Sequence, residues 1–242
     1  MTAPATLKRA SAPFLDEIAA VAAELVRRDW AEANAGNLSV RVSRAETGGL
    51  SLLVKRAGAR MRDVARRPLA GLCLVLVDGS GRVLKVLPDA AQPSTELRAH
   101  VTVHKALLER RPSDCAVLHT HPTATIALSM MIPNDRRIVS LLARMHSEGP
   151  LAIAGRLTAL RFAAPGSSEL ARTTAAAVAR FPGVIWPMHG MIATGPDLSS
   201  ALDLIEVTDK AATIALRLGD RRMRTSGLTR AQALAIIRTT GR

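Results

Sequence analysis

The chain has 242 residues, 48% of them hydrophobic and 22% charged, a composition that supports a buried core and excludes disordered, collagen-like and coiled-coil proteins. Its formal net charge of +13 would alone suggest a nucleic-acid partner, but the basic residues are spread along the whole chain. Aromatic residues make up only 2%, which leaves few rings for stacking bases. We therefore expect no nucleic-acid binding.

No apolar run reaches the roughly 18 residues that span a bilayer, and no apolar signal core follows Lys8 and Arg9. We therefore expect a cytoplasmic protein without membrane contact. The two cysteines do not form a Cys-x-x-Cys pair, so a metal would be held mainly by histidine and carboxylate side chains. Because no repeat or linker interrupts the chain, a single domain over residues 1–242 is expected.

Apolar spacing predicts an amphipathic helix over residues 14–28, followed by a tight turn at residues 34–37 and a half-buried strand at 38–43. The sequence Asp78-Gly79-Ser80-Gly81 predicts a hairpin, because glycine supplies the positive φ that such turns need. Further strands are predicted at residues 50–54, 72–77, 82–87, 115–121, 184–186 and 191–193. Further helices are predicted at residues 95–110, 123–131, 168–181 and 198–218.

A last helix is expected after Thr229, which forms a capping-box pattern with Gln232. The hairpin and the order of the other elements indicate an α/β protein with an antiparallel-rich sheet and helices packed on it.

The sequence His119-Thr120-His121 is the most informative segment for function. Alternation along a strand sends the two imidazoles to one face, where both can reach a single ion. A catalytic zinc typically takes three protein ligands, and His189, in a Pro-Met-His-Gly turn between two strand halves, is the best third candidate. The alternatives are ordinary hydrogen bonding for the pair and a simple turn histidine for His189.

Glu96, His100 and His104 share one face of the helix over residues 95–110 and form a rival set. A helix rises about 6 Å per four residues, so the two histidines cannot both reach an ion held by Glu96. The role of His146 stays open. Glu96 itself is either a helix-capping carboxylate or a base beside a phosphate held by Ser94 and Thr95 at the helix N-terminus.

Four motifs occur in an order that resembles the class II aldolase/adducin family, and the resemblance extends from about Phe14 to Ile237. These motifs are Gly36-Asn37-Leu38-Ser39, Ser94-Thr95-Glu96, His119-Thr120-His121 and His189-Gly190. The resemblance implies a single-domain α/β/α fold with a mainly antiparallel central sheet, assembled as a homotetramer with active sites at subunit interfaces. It also implies one Zn²⁺ per subunit, bound by His119, His121 and His189.

By the same resemblance, Glu96 matches the family's catalytic acid/base, and Glu148 matches a second carboxylate that reaches in from a neighbouring subunit. The family's phosphate loop usually carries a Thr-Gly-Ser-Gly type of run, where this chain has Lys55-Arg56-Ala57-Gly58. Ala57 lacks the usual hydroxyl, although Lys55 or Arg56 could supply a charged contact instead. The substrate- and phosphate-binding candidates are Asn34, Asn37, Gly58, Ser94 and Thr95.

The function implied is cleavage of a ketose 1-phosphate to dihydroxyacetone phosphate and a small aldehyde, with the metal stabilising the charge of an enediolate. Two alternatives remain. One is another metal-dependent enzyme of the same superfamily, such as an epimerase, dehydratase or decarboxylase. The other is a non-catalytic adducin-like scaffold, which has no physical need for three converging imidazoles.

Overall fold

A sheet of eight strands organises the residues that the structure describes, a computed structural model covering residues 3–44, 48–132 and 135–240. Both ends of the expected domain, residues 1–2 and 241–242, lie outside this range. The strands are β1 (Asn37–Arg44), β2 (Leu50–Lys55), β3 (Leu72–Val77), β4 (Val83–Leu87), β5 (Ala116–Thr120), β6 (Leu157–Ala159), β7 (Gly183–Trp186) and β8 (Gly190–Gly195).

The strand order across the sheet is β4-β3-β2-β1-β5-β8-β7-β6. Every pairing is antiparallel except that of β6 with β7, which is parallel. The expected mainly antiparallel sheet is therefore confirmed. The centre of the sheet pairs β1, β5 and β8, and the candidate metal ligands lie at the end of this central group.

Helices cover both faces of the sheet, which confirms the three-layer α/β/α arrangement. On one face, apolar residues of β1, β5 and β8 pack mainly against the helices at Leu15–Arg27 and Leu198–Thr225. On the other face, β5, β7 and β8 pack against the helices at Leu97–Arg110 and Ser168–Val178. The helices are α1 (Ala3–Ser11), α2 (Leu15–Arg27), α3 (Met61–Arg66), α4 (Leu97–Arg110), α5 (Thr123–Met131), α6 (Asp135–Leu142), α7 (Gly149–Ala152), α8 (Ser168–Val178), α9 (Leu198–Thr225) and α10 (Arg230–Thr240). Among the described residues, no helix combines the length and the apolar character that a membrane span requires.

The helix after the hairpin begins later than expected. It was predicted from residue 95, but α4 begins at Leu97 and Glu96 occupies its N-cap position. Ser94 is held in the preceding turn, where its amide bonds to the carbonyl of Lys55 and its carbonyl accepts from the amide of Leu97. This turn keeps Glu96 at the end of the helix, facing the sheet.

Five of these helices and strands are not predicted from the sequence: α1, α3, α6, α7 and β6. The ninth helix also continues beyond the predicted end at residue 218, with a break at Gly219, whose φ is 73°. The capping box is present as predicted, since the backbone amide of Gln232 donates to the Thr229 hydroxyl and the backbone amide of Thr229 donates to the side-chain Oε1 of Gln232.

Candidate active site

Three histidines from two separate parts of the chain meet at the end of the central strands. His119 lies in β5, His121 follows that strand, and His189 lies in the turn between β7 and β8. One ring nitrogen from each lies within 4.8 Å of the other two, and the ring centroids are 4.8 to 5.4 Å apart. The three imidazoles converge on one point and could hold a metal ion.

The second nitrogen of two rings is already used, which fixes how these rings face the point of convergence. Nδ1 of His119 lies 3.0 Å from the carbonyl oxygen of Met191, and Nδ1 of His121 lies 2.7 Å from Oε1 of Glu32. A carbonyl or carboxylate oxygen only accepts, so each Nδ1 carries the proton and each Nε2 presents a lone pair. This tautomer is the one that a metal ligand requires.

Burial favours the neutral form of two of the three imidazoles. It lowers the pKa of His119 well below the ordinary value, and repulsion from His121 and His189 acts in the same direction. Burial also lowers the pKa of His189, although the nearby carboxylate of Glu96 opposes this shift. Neutral imidazole is the form that binds metal, so the site is prepared for a cation near neutral pH.

The approach of β8 to β5 depends on Gly190. A Cβ at this position would lie 2.4 Å from the carbonyl oxygen of Thr120, 3.0 Å from Cδ2 of His121 and 3.2 Å from Cε1 of His119. The preceding turn is held by the amide of Met188, which donates to the Ser129 hydroxyl at 2.9 Å. Glycine at position 190 therefore lets all three imidazoles come together.

Glu96 places a buried carboxylate near two of the three imidazoles. Its Oε2 lies 3.5 Å from Nε2 of His119, and its Oε1 lies 3.7 Å from Nε2 of His189. The residue is only 8% exposed, and its Oε2 accepts a hydrogen bond from Nδ2 of Asn37 at 2.6 Å. The carboxylate is thus held beside the convergence point and is a direct neighbour of two of the three rings.

These groups line a cavity of about 380 Å³. All five candidates for substrate and phosphate binding line it as well, namely Asn34, Asn37, Gly58, Ser94 and Thr95. Within this set, Asn34, Gly58 and Thr95 are exposed, whereas Ser94 and Asn37 are buried. Glu148 does not line this cavity and lies instead in a separate surface pocket with His146.

Lys55 joins the two loops that form one wall of the cavity. Its Nζ donates to the carbonyl oxygens of Asn34 at 2.9 Å and Ala59 at 2.6 Å, and its side chain is almost fully buried. Burial lowers the pKa of this ammonium to about 8, and the negative charge of Glu96 opposes the shift. Lys55 therefore places a cationic group in this wall of the cavity.

The rival histidines do not join the cluster. His100 and His104 are buried, and both rings bond to the hydroxyl of Ser39, at 2.7 and 2.8 Å. His146 is part-buried, with Nε2 3.4 Å from the carbonyl oxygen of Val207. The two histidines of α4 therefore point into the core, where they contact Ser39, and do not share an ion with Glu96.

Glu32 is not among the site residues that the sequence predicts, although its carboxylate accepts a hydrogen bond from His121. It lies in a loop, 89 positions from its partner, and no local motif marks it. Burial raises the pKa of Glu32, but the hydrogen bond from His121, a backbone hydrogen bond and the electrostatic influence of His121 and His189 together lower the pKa below its ordinary value. The pairing of β1 with β5 brings this loop and the histidine strand together, and the amide of His121 donates to the carbonyl oxygen of Trp30 at 2.9 Å.

The model of the class II aldolase and adducin N-terminal domain matches residues 16–216, which span β1 to β8 and every group described above. The chain belongs to the class II aldolase/adducin family. The resemblance predicted from the four motifs is thereby confirmed, and with it the enzyme class, a carbon–carbon lyase of the class II aldolase type.

Members of this family with assigned activities are similar along most of the chain. Rhamnulose-1-phosphate aldolase of Bacteroides thetaiotaomicron is 28% identical and aligns with 92% of both chains. The enzyme of that name from Listeria welshimeri is 26% identical, over 86% of this chain and 84% of its own. A crystal structure of a sugar-phosphate aldolase from Thermotoga maritima superposes with a TM-score of 0.76 at 29% identity, covering 84% of this chain and 94% of that one.

Proposed function

We propose that this protein is a zinc-dependent aldolase that cleaves a ketose 1-phosphate, most like L-rhamnulose 1-phosphate, to dihydroxyacetone phosphate and a small aldehyde. The observation that carries the proposal is the convergence of His119, His121 and His189 beside the buried carboxylate of Glu96 in one cavity. The names of the similar enzymes support the substrate class.

The donor set fits zinc. Three imidazoles with no thiolate are a known ligand set for catalytic zinc, which leaves a position open for substrate. His119 and His121 already present Nε2 to the convergence point, because each Nδ1–H donates a hydrogen bond, to the carbonyl oxygen of Met191 and to Oε1 of Glu32. When bound there, the ion supplies Lewis acidity, which stabilises the negative charge that carbon–carbon cleavage leaves on the substrate.

Glu96 has the position of the acid/base. Its two oxygens flank the rings of His119 and His189, so a substrate bound at the histidines would contact this carboxylate. In the cleavage direction the carboxyl group would deliver a proton to the carbon that the departing aldehyde leaves behind, while the hydroxyl that becomes the aldehyde oxygen loses one, so that no net proton is consumed. In the synthesis direction the carboxylate would remove that proton. The amide of Asn37 keeps the carboxylate in this orientation.

The phosphate would bind at the opposite end of the cavity, near Lys55. Gly58, Ser94 and Thr95 line the same wall and offer backbone amides and hydroxyl groups, while Asn34 lies in the loop that Lys55 holds. An ammonium beside hydroxyl and backbone donors suits a dianion, and Lys55 takes over the contact that a loop hydroxyl at position 57 would otherwise make.

Glu148 would act in another subunit. It is exposed and lies in a pocket with Arg28, His146 and Lys210, apart from the histidine cavity of its own chain. We therefore assign it to the site of a neighbouring copy, at the aldehyde oxygen, in a homotetramer whose active sites lie at subunit interfaces.

The test is an activity screen of the zinc-loaded protein on a panel of ketose 1-phosphates and their unphosphorylated counterparts, with dihydroxyacetone phosphate detected by a coupled reductase. We expect cleavage of L-rhamnulose 1-phosphate, loss of turnover after chelation and recovery with added zinc. The unphosphorylated sugars are the matched controls and should be poor substrates.

Two outcomes would redirect the assignment. Isomerised sugar phosphate without carbon–carbon cleavage would favour an epimerase of the same superfamily. Failure to take up zinc, together with no turnover on any substrate, would favour an adducin-like scaffold.

A further inference from the structure

A buried chain of hydrogen bonds leads from Glu96 into the core. Nδ2 of Asn37 donates to Oε2 of Glu96 at 2.6 Å, and Oδ1 of the same amide bonds to Nε2 of His100. Nδ1 of His100 lies 2.7 Å from the Ser39 hydroxyl, which also lies 2.8 Å from Nε2 of His104. All five residues are buried, and three of them, Ser39, His100 and His104, do not line the cavity.

The direction of each bond follows from the one before it. Oδ1 of Asn37 can only accept, so Nε2 of His100 carries a proton. Burial lowers the pKa of His100 to about 4, so the ring is neutral and its Nδ1 must accept from the Ser39 hydroxyl. The Ser39 oxygen is then free to accept from Nε2 of His104. Every donor along the chain therefore points toward Glu96.

The reversed set of donors and acceptors is disfavoured at both ends of this hydrogen-bond chain, at Glu96 and at His104. A rotated Asn37 amide would set its Oδ1 against Oε2 of Glu96 at 2.6 Å, two acceptors in contact. All the other donors would also reverse, and the last proton would lie on Nδ1 of His104. Within the described residues this nitrogen is buried with no hydrogen-bond partner. A buried N–H without an acceptor is rarer and less tolerated than an unused lone pair.

We propose that Ser39, His100 and His104 are positioning residues, which orient the Asn37 amide so that its N–H group faces Glu96 and fixes the carboxylate beside the three histidines. The effect on catalysis rests on the proposed function, in which Glu96 transfers the proton. The orientation itself needs neither metal nor substrate, because every link joins two groups of this chain.

The first test reads the tautomers directly. In the wild-type protein labelled with ¹⁵N at histidine, long-range ¹H–¹⁵N spectra at pH 7 show which ring nitrogen carries the proton. We expect the Nε2–H form for both His100 and His104, with their signals assigned by loss in His100→Gln and His104→Gln. An Nδ1–H form at either ring would overturn the proposal.

The second test breaks the chain of hydrogen bonds at Ser39, which joins His100 to His104. Ser39→Ala should lower kcat for cleavage of L-rhamnulose 1-phosphate by about 10- to 100-fold. KM should stay within about twofold and the zinc content should be unchanged, because no substrate or metal contact is removed. Ser39→Thr restores the hydroxyl and should recover most of kcat, and Ser43→Ala, on the exposed part of the same strand, is the matched control.

Unchanged kcat in Ser39→Ala, or a loss that Ser39→Thr does not recover, would contradict the positioning role. The two proposals fail separately. If the wild-type protein cleaves no ketose phosphate but shows both Nε2–H tautomers, the orientation of the chain stands and the aldolase assignment is wrong. The spectra also decide the matter if the serine variants do not fold.

Discussion

Oε1 of Glu32 lies 2.7 Å from Nδ1 of His121, so an exposed loop carboxylate orients one of the three converging rings. The bond fixes the tautomer of His121 and turns its Nε2 toward the rings of His119 and His189. A carboxylate behind a histidine also makes the imidazole a stronger ligand. The candidate metal centre therefore extends beyond the three histidines to the loop that precedes β1.

Glu32→Ala should weaken zinc binding by about 10- to 100-fold, as is typical when a partner of a ligating histidine is lost. The physical reason is that His121 can then rotate and protonate either nitrogen. Competition with a chromogenic chelator measures the affinity. Glu109→Ala, an exposed glutamate near the end of α4, is the control and should bind zinc like the wild type. Equal affinities for all three proteins would show that Glu32 does not support the site.

Gly190→Ala should reduce zinc binding as well as stability. The added Cβ would meet the backbone oxygen of Thr120 at 2.4 Å, and this oxygen cannot move without separating β5 from β8. We expect a loss of about 1–3 kcal/mol in the free energy of unfolding, measured with urea. Because the same atom would crowd both His119 and His121, the zinc affinity of the folded variant should fall too.

Gly195→Ala separates these two effects. Its Cβ would approach Cβ of Ser200 at 3.0 Å and the carbonyl oxygen of Asp197 at 3.1 Å, at the end of β8 away from the histidines. This control should lose stability but keep the zinc affinity of the wild type. Equal zinc affinities in both glycine variants would mean that the close approach at Gly190 does not matter for the metal site.

The sequence predicts the fold where the elements carry their own pattern. The apolar face of α2 and the alternation in β1 place these elements to within a few residues, and glycine marks the hairpin between β3 and β4. The shortest of the strands and α-helices that the sequence does not predict are β6 with three residues and α7 with four. Three or four residues are too few to show a periodicity in the sequence. Such elements depend on their neighbours: β6 is held by parallel pairing with β7, which lies 26 residues further along the polypeptide.

The candidate site likewise contains residues that the sequence could bring together and residues that it could not. His119 and His121 could be paired from strand alternation alone, since the two residues are close in sequence. Glu32 and Ser39 could not, because their partners lie 89 and 61 to 65 positions away, in the segment after β5 and in α4. Carboxylates and hydroxyls are common in loops and strands, so nothing local distinguishes those that support a site.

Glu96→Gln should abolish most turnover and leave zinc bound. The amide has the same shape and can still accept from Asn37, but it cannot transfer a proton, so kcat should fall by about 10²- to 10⁴-fold. Zinc content, measured on the purified protein, should match the wild type. Glu109→Gln is the control for a charge change on the same helix. A large loss of zinc would instead identify Glu96 as a ligand.

The buried histidines of α4 should make the protein sensitive to acid. Burial lowers the pKa of His100 to about 4, whereas an unfolded chain has a histidine pKa near 6.5. Between these two values the unfolded state binds a proton that the folded state refuses. The free energy of unfolding should therefore fall as the pH drops from about 6.5 toward 4, by up to about 1.4 kcal/mol per pH unit for this residue.

Urea unfolding of the wild type and of His100→Gln at pH 7, 6 and 5 measures this contribution. The variant should be less stable at pH 7, because it loses the ring that links Asn37 to Ser39. Its stability should nevertheless fall less steeply with acid, since glutamine takes up no proton on unfolding, and the two curves should approach each other between pH 6.5 and 4. Parallel curves would mean that His100 is protonated equally in both states and that burial does not hold it neutral.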